Sequence, residues 1–432
     1  MNLRGAVKAL IPKTLFRRIE PYGHLVEAVI YNLIYGFPGR GMKVIGVTGT
    51  NGKTSTSFLI HRMMNEAGYK TGLMSTVGWG AGREINPQIH HMTNVAIPEL
   101  MQRLKQMKKE GTEWLVLETT SHALAQNRVW GIPISVAVMT NITHEHLEYH
   151  GTFERYRNAK LELFKLANRN KKGLRAGVIN AEDPSAQLFA DSIAKPLTYG
   201  LKSGDLRAAN IKMMSSGSTY TAKIKNSNFK IHTRLPGGFN IYNSLAAVGV
   251  GHVIGLDKKQ IEQGIAALES VEGRMNTIDE GQPFTVIVDY AHTPDSFEKM
   301  FKELRPVVKG KMIVMFGSAG RRDTAKRPVQ GELAGKYCDE VILTEEDDRD
   351  EDGKQILEDI AKGVEKSGKV RDKDLFLVLD RPSAIKFALG RAKAGDTVLL
   401  LGKGHEKTIE RDDREDPYDE VKIARQILKN RP

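Results

Sequence analysis

Short apolar runs alternate with helix-period segments along most of this chain, the signature of βαβ units on a mostly parallel sheet. Val44-Ile45-Gly46-Val47 is a β-type run that enters a glycine-containing turn, and a helix-period stretch with Phe58, Leu59 and Met63 follows. Trp114-Leu115-Val116-Leu117 reads as a buried strand ending in Glu118, and Ile134 to Met139 as another ending in Thr140-Asn141. Residues 205–235 change to alternating, Ser/Thr/Lys-rich segments, which predicts a small antiparallel excursion, and residues 240–268 return to helix. Around Glu272-Gly273-Arg274 the pattern restarts. Thr285 to Asp289, Met312 to Phe316, Glu340 to Thr344, Leu375 to Leu379 and Thr397 to Leu401 are strand-like, with helical stretches between them. A chain of 432 residues exceeds one ordinary core. The expectation is an α/β protein with a short basic and apolar segment over 1–42, a central domain over 43–272 and a C-terminal Rossmann-like α/β domain over 273–432.

The turn after the first run carries the most chemistry. In Thr48-Gly49-Thr50-Asn51-Gly52-Lys53-Thr54 the glycines let backbone N–H groups point at phosphate oxygens, and the following helix start adds partial positive charge. Lys53 can reach terminal phosphates and the Thr54 hydroxyl can ligand Mg²⁺. The strict G-x-x-x-x-G-K-[ST] spacing fails, because position 47 is Val47. The central domain is therefore expected to be of the P-loop ATPase type. Open α/β sheets bind ligands at the carboxyl ends of their strands, so the polar residues after each run are candidates for chemistry.

Composition narrows the setting. Hydrophobic content of 40% with 27% charged residues fits a globular chain rather than a disordered one. A single cysteine, Cys338, excludes an internal disulfide framework and suits a reducing, cytoplasmic compartment; its plain reading is a small buried thiol. The net charge of +12 favours anionic partners, yet no nucleic-acid-reading motif is present, so nucleic acid is not expected. Residues 1–43 hold Arg4, Lys8, Lys13, Arg17, Arg18, Arg40 and Lys43 against Glu20 and Glu27. Between them Leu25 to Phe37 is apolar but too short and too polar to span a bilayer, and no signal-peptide cleavage site follows. Two readings stand: a helix packed on the next domain, or a basic amphipathic segment resting on a membrane through residues 1–40. The acidic run from Glu345 to Asp352 reads by default as a solvated loop, and His90 and His91 as surface polarity.

Several local patterns converge further on. Glu118 is followed by Thr119-Thr120-Ser121-His122, with Gln126 and Arg128 close behind. Next come Asn141-Ile142-Thr143-His144-Glu145-His146 through Gly151, and then Lys160. Taken singly each is weak, since a lone lysine on a helix is ordinarily solvated. With Gly238-Phe239-Asn240, Asn243-Ser244-Leu245-Ala246-Ala247, Gly273-Arg274-Met275, Asp289-Tyr290-Ala291-His292-Thr293-Pro294, Phe316-Gly317, Arg321-Arg322-Asp323, Lys326-Arg327-Pro328 and Gly402-Lys403-Gly404-His405-Glu406, the order resembles the Mur ligases, specifically the MurE type, over roughly residues 43–432.

That resemblance implies an ATP-dependent amide ligase of peptidoglycan precursor synthesis. ATP would phosphorylate the terminal carboxylate of a muramoyl peptide, and the amine of a free amino acid would displace the phosphate. By resemblance ATP is held by Gly49, Thr50, Asn51, Gly52, Lys53, Thr54 and Ser55, with Asn243, Arg274 and Asp289 around the nucleoside. Mg²⁺ falls to Thr54, Glu118 and His146, and Lys160 is carbamylated. Lys53, Glu118, His146 and Lys160 then form the catalytic set. Thr93, Asn94, Thr120, Ser121, Gln126 and Arg128 match acceptor contacts, and Arg322, Gly402 and Glu406 match contacts to the incoming amino acid. Members using meso-diaminopimelate carry Asp-Asn-Pro-Arg where this chain has Glu346-Asp347-Asp348-Arg349. Arg349 suits the extra carboxylate of a diamino acid, or else a surface ion pair. Thr93-Asn94 stands where the family has two threonines. Only residues 1–43 precede the phosphate loop, where the family places a UDP-binding domain. The chain is read as a monomer. The alternatives are a Mur-related amide ligase acting on a lipid-linked or polyglutamyl acceptor, and a nucleotide-binding regulator of the same fold without turnover.

Overall fold

Strands that are apolar on both faces need helices on both sides, and the central strands of the first sheet, Trp114–Glu118, Ile134–Met139 and Ala176–Asn180, are of this kind. The computed structural model describes residues 13–88, 93–214, 217–225, 227–412 and 414–431. His90 and His91 lie outside them, as do residues 1–12 of the N-terminal segment. In chain order the first sheet comprises β1 (Lys43–Thr48), β2 (Thr71–Met74), β3 (Gly78–Ala81), β4 (Asn86–Pro87), β5 (Trp114–Glu118), β6 (Ile134–Met139), β7 (Ala176–Asn180), β8 (Lys195–Gly200), β9 (Leu206–Met214), β10 (Gly217–Ile224) and β11 (Ser227–Thr233). Their spatial order is β11-β10-β9-β8-β7-β6-β1-β5-β2-β3-β4. The run from β9 through β8, β7, β6, β1 and β5 to β2 is parallel, and β3 and β4 return antiparallel at one edge.

β1 lies between β5 and β6, pairing Val47 with Glu118 on one side and Thr48 with Met139 on the other. That register brings Thr48, Glu118 and Met139 to the same carboxyl edge. Helix Phe153–Arg169 begins at Thr152, whose hydroxyl accepts from the Arg155 amide. It buries Tyr156, Lys160, Leu163, Phe164 and Ala167, a helical stripe in which the lysine occupies an apolar position. Helix Lys13–Ile34 turns Ala28 and Asn32 inward, and Asn32 Nδ2 donates to the Ala28 carbonyl (2.9 Å) and the Trp130 carbonyl (3.0 Å). No described helix is long and apolar enough to cross a membrane.

The chain divides into two units by its internal contacts. One holds the described residues up to Ile211 with Thr219–His232 and Phe239–Leu268; the other holds Lys212–Ser218, Thr233–Gly238 and the chain from Glu269 onward. The second unit carries a six-stranded sheet of β12 (Asn276–Ile278), β13 (Thr285–Asp289), β14 (Met312–Phe316), β15 (Glu340–Leu343), β16 (Leu375–Leu377) and β17 (Thr397–Leu401), in the order β12-β13-β17-β14-β15-β16. All pairs are parallel except β12 with β13. A hairpin of β18 (Thr408–Arg411) and β19 (Arg414–Pro417) follows.

One buried ion pair holds this second unit together. Arg381 and Glu420 are both fully buried, and the guanidinium donates through Nε and Nη2 to the two Glu420 oxygens at 2.8 Å each. Nη1 and Nη2 also reach the Glu345 and Leu401 carbonyls, at 2.9 and 2.7 Å. Removing one partner leaves the other charged in a dry site. Glu420→Ala should therefore destabilise the second unit by about 3–5 kcal/mol, read from the urea midpoint. A loss below about 1 kcal/mol would show the pair to be dispensable.

Candidate active site

The phosphate loop closes on the start of the segment after β6. Gly49 and Gly52 have φ of 151° and 81°. A Cβ on Gly49 would lie 1.8 Å from Thr140 Oγ1, and one on Gly52 2.3 Å from Asn243 Oδ1, so neither position admits a side chain. Asn141 staples the loop: its carbonyl accepts from the Thr50 amide (2.7 Å), its Oδ1 from the Asn51 amide (2.9 Å), and its Nδ2 donates to the Asn51 carbonyl (3.0 Å). Thr140 Oγ1 donates to the same Asn51 carbonyl at 2.6 Å. Lys53 Nζ donates to the Thr50 carbonyl (2.8 Å), while Thr54 and Ser55 are buried at the start of helix Lys53–Glu66. Asn243 packs against this loop, accepting from Thr56 Oγ1 (3.3 Å) and donating to Asn240 Oδ1 (2.8 Å).

Glu118, only 1% exposed, is held on all sides. Its Oε1 accepts from Thr54 Oγ1 (3.1 Å) and Thr76 Oγ1 (3.0 Å), and its Oε2 from the Thr76 amide (3.0 Å). Thr93 Oγ1 stands 2.8 Å from Thr76 Oγ1. Asn94 donates Nδ2 to the Glu118 carbonyl (2.9 Å) and accepts at Oδ1 from both the Thr120 amide (3.0 Å) and hydroxyl (2.9 Å). The side-chain amide thus donates from Nδ2 and accepts at Oδ1, two separate atoms that bridge Glu118 and Thr120. Arg128 Nη2 donates to the Asn94 and Val95 carbonyls. Thr93, Asn94, Thr120 and Arg128 thus form one network, joined to Glu118 through its backbone carbonyl and through Thr76. Ser121 Oγ pairs with His150 Nε2 (3.0 Å), and Gln126 closes the short helix Ser121–Ala125 through its amide.

Thr76 is the residue the sequence reading missed. It follows β2 at the carboxyl edge, the same signal that singled out Glu118 and Thr140.

Lys160 is 2% exposed, and Nζ donates to the Gly49 carbonyl at 2.6 Å. Nζ also lies 4.6 Å from the centre of the Tyr156 ring. Burial pushes this ammonium well below its ordinary range and Lys53 pushes further, with Glu145 and Glu118 pulling the other way. The solvated reading of Lys160 is overturned: the helix stripe on which it falls is the buried one. Tyr156 links the lysine to the loop, with its hydroxyl 2.8 Å from Thr50 Oγ1 and donating to Glu145 Oε2 at 3.3 Å. His146 has φ of 54° and sits in a ring cluster, its centroid 4.7 Å from that of His122. Among the described residues no three His, Cys, Asp or Glu side chains converge as a metal cage. Thr54 Oγ1 and Glu118 Oε1, 3.1 Å apart, are hard oxygens of the kind Mg²⁺ takes beside waters and substrate phosphates.

In the second unit the polar residues again follow the carboxyl ends of β13, β14, β15 and β17. Asp289 accepts from the Met275 amide (2.6 Å) and the Ala291 amide (2.7 Å), and burial raises its carboxyl above the usual range although Arg274 opposes this. The Arg274 guanidinium lies 4.8 Å from the Tyr290 ring centre, and Tyr290 donates to Glu406 Oε1 at 3.1 Å. Gly402, at φ 104°, leaves room for Glu346: a Cβ there would meet Glu346 Oε2 at 2.7 Å.

The acidic run corrects the sequence reading, because Glu345, Glu346, Asp347 and Asp348 are buried rather than solvated. Two cations distant in sequence, and the backbone at the start of helix Arg381–Arg391, explain it. Arg411 binds Glu345 through Nη2 (2.7 Å) and Nε (2.8 Å), and fully buried Lys403 donates to Asp347 Oδ1 (2.8 Å) and Glu406 Oε2 (2.7 Å). Arg381 donates its amide to Glu345 Oε1. Glu346 Oε2 and Asp348 Oδ1 are buried without a hydrogen-bond partner among the described residues. Burial, with Glu345 next, raises the Asp348 carboxyl to about 6. Arg349 donates Nε to Glu410 Oε2 (2.6 Å) and Nη1 to the Gly320 carbonyl (2.6 Å), whereas Arg322 is exposed.

A glycine phosphate loop at the carboxyl edge of a parallel sheet, braced by a carboxylate and a buried lysine, defines a nucleoside-triphosphate-using α/β enzyme. The Mur ligase middle domain matches residues 47–251, and the Mur ligase, glutamate ligase domain matches residues 273–404. The UDP-N-acetylmuramyl-tripeptide synthetase of Roseiflexus sp. (strain RS-1) is 42% identical over 94% of this chain and 82% of its own length. The UDP-N-acetylmuramoyl-L-alanyl-D-glutamate–2,6-diaminopimelate ligase of Geobacillus thermodenitrificans (strain NG80-2) is 40% identical over 99% of this chain and 88% of its own. A solved structure of a ligase of that second name superposes with a TM-score of 0.66 at 32% identity, covering 90% of this chain and 78% of that one. The chain belongs to the Mur ligases, the ATP-dependent ligases of peptidoglycan synthesis, and within them to the MurE type.

The Asp348 carboxyl supplies a pH test. Its folded pKa of about 6 exceeds the unfolded value near 3.8, so the folded state binds more protons between those limits and stability falls as pH rises through them. Asp348→Asn should flatten that slope between about pH 4 and 6 and raise stability at neutral pH by on the order of 1–2 kcal/mol. Denaturant unfolding across pH measures both. An unchanged slope would assign the cost elsewhere.

Proposed function

We propose that this Mur ligase joins a free diamino acid, meso-diaminopimelate foremost, to the terminal carboxylate of a UDP-linked muramoyl dipeptide in the cytoplasm, acting as a monomer. The names of its Roseiflexus and Geobacillus relatives support the acceptor and the amino acid. The observation that carries the catalytic reading is Lys160, a lysine buried against the carbonyl of a phosphate-loop glycine.

Bound ATP with Mg²⁺ would supply the phosphoryl group that converts the acceptor carboxylate into an acyl phosphate, and attack of the amino-acid amine on its carbonyl carbon would form the amide and release inorganic phosphate. Lys53, free to swing from the Thr50 carbonyl, neutralises terminal phosphate charge. Thr54 and Glu118 hold the metal side of the site, and Thr76 fixes the carboxylate that does so. His146 is the ligand assigned to a second Mg²⁺. Lys160 is suited to carbamylation because only a neutral amine adds to the carbon of CO₂, losing one proton and leaving an anion, and burial shifts this lysine toward the neutral form. The anion then offers hard oxygen to a cation where an ammonium would repel it. In the second unit, Arg349, whose guanidinium pairs with Glu410, follows directly in sequence on the buried acidic residues Glu346 and Asp348. A molecule with two ammonium groups and two carboxylates matches both signs of charge.

Phosphate release from ATP should require both UDP-muramoyl-dipeptide and the amino acid. Across diaminopimelate, lysine, ornithine and glutamate it should be fastest with diaminopimelate, with one amide-linked residue added to the product mass. Lys53→Ala should lower the rate by roughly 100-fold or more; an unchanged rate would place ATP elsewhere, and release without amide product would sink the ligase reading.

Lys160→Met should abolish turnover yet raise stability at neutral pH in CO₂-free buffer. The depressed ammonium means the unfolded chain binds the extra proton, so the native lysine costs stability at every pH below its unfolded pKa. Reduced stability in the variant would contradict the burial argument. Carbamylation itself is tested by stripping CO₂ from wild-type enzyme, which should slow phosphate release until bicarbonate is restored.

A further inference from the structure

Helix Lys13–Ile34 has two apolar faces where a surface helix ordinarily has one. Its inner face carries Ala28 and the buried Asn32, with Tyr31 and Tyr35 packed on the first unit's core. Its outer face carries Ile19, Tyr22, Val26, Ile30, Leu33 and Ile34, each between 44% and 70% exposed. Steps of three and four residues put these side chains on one stripe about 22 Å long. They are six of the twelve large exposed apolar residues among those described; of the other six, Ile211, Met213 and Met214 lie on β9, and Leu188, Val329 and Val370 stand apart in sequence. A contiguous apolar stripe of this kind marks a contact surface.

Charge selects the occupant. Residues 1–43 hold seven Lys and Arg against two Glu within a chain of net charge +12. By sequence Arg17 and Arg18 precede the stripe. Beyond its C-terminal end, the Arg40 guanidinium lies 3.7 Å from the Phe37 ring centre and Lys105 Nζ lies 5.5 Å from that of Tyr35. The helix Ile97–Lys109, which packs alongside, adds exposed Lys108 and Lys109. A second copy of the chain would bring like charge to this face. A protein partner needs about 800 Å² per side for a standard interface, and a single helical ridge roughly 10 Å wide offers far less. A lipid surface needs neither shape complementarity nor large area, only an apolar stripe with basic flanks lying in the plane of the headgroups.

We propose that helix Lys13–Ile34 docks the enzyme on anionic lipid membranes, with Tyr22, Val26, Ile30 and Leu33 entering the headgroup boundary and the basic flanks engaging lipid phosphates. Docking leaves the phosphate loop unaltered and is independent of which amino acid or acceptor the enzyme uses.

The test is flotation of the full-length protein with vesicles of phosphatidylcholine containing about 30% phosphatidylglycerol, compared with pure phosphatidylcholine. Wild type should float with the anionic vesicles, and partitioning should fall roughly tenfold or more as salt is raised, because screening removes the headgroup attraction. Val26→Asp with Leu33→Asp should reduce partitioning by a similar factor while the melting temperature and phosphate release with soluble substrate stay unchanged. Should that variant fail to fold, Tyr22→Ser with Ile30→Ser replaces it under the same criteria. Three results would overturn the proposal: no flotation with anionic vesicles, equal flotation of the variants, or a concentration-dependent dimer of wild type that the variants abolish. The last assigns the stripe to a second copy of the chain.

Discussion

Two lysines share one phosphate loop, and the rest of the first unit is arranged around the cost of placing them there. Lys160 Nζ donates to the Gly49 carbonyl from inside the protein, and Lys53 Nζ donates to the Thr50 carbonyl three residues before it. Like charges this close, one of them out of water, raise the energy of the protonated lysine unless an anion or a lost proton relieves it. The loop therefore has to be stiff, and Thr140 and Asn141 make it so through backbone and side-chain bonds to residues 50 and 51. Glu118 and Glu145 supply the opposing charge. Strain of this kind, held by surrounding structure, is what keeps a site ready for phosphates and cations.

The second unit faces the inverse problem. Four consecutive acidic residues are buried at the carboxyl edge of its sheet, and cations distant in sequence neutralise part of them. Arg411 from β18 and Lys403 from the loop after β17 pair with Glu345 and Asp347, while Arg381 is committed to Glu420. The partition is incomplete, since Glu346 and Asp348 keep buried oxygens with no hydrogen-bond partner among the described residues. Unpaired buried charge is costly, so this edge of the sheet carries an electrostatic strain that Arg411 and Lys403 relieve only in part.

Much of this was legible along the chain. The strand-like runs at 114–117, 134–139, 285–289, 312–316 and 397–401 appear as β5, β6, β13, β14 and β17, because a strand covered on both faces writes itself as an unbroken apolar run. The phosphate loop was legible for a similar reason: Gly49 and Gly52 answer to local backbone geometry that no other residue satisfies. Thr76 was not legible, although it bonds Glu118 twice. Its partner is 42 residues away, and the pairing of β2 with β5 that joins them is a long-range event.

Local physics thus determined which segments became strands and helices, where the backbone had to turn, and that the chain binds phosphate. Tertiary packing decided the electrostatics. Whether Lys160 is solvated or buried depends on which stripe of helix Phe153–Arg169 meets the sheet, and whether residues 345–348 form a loop in water or a buried acidic edge depends on where Arg411, Lys403 and Arg381 arrive. The same holds for helix Lys13–Ile34, whose apolar residues are divided by packing into an inner face and an exposed one. A residue's period in the chain records that it is apolar or charged; its energy depends on the dielectric and the partners that folding brings to it.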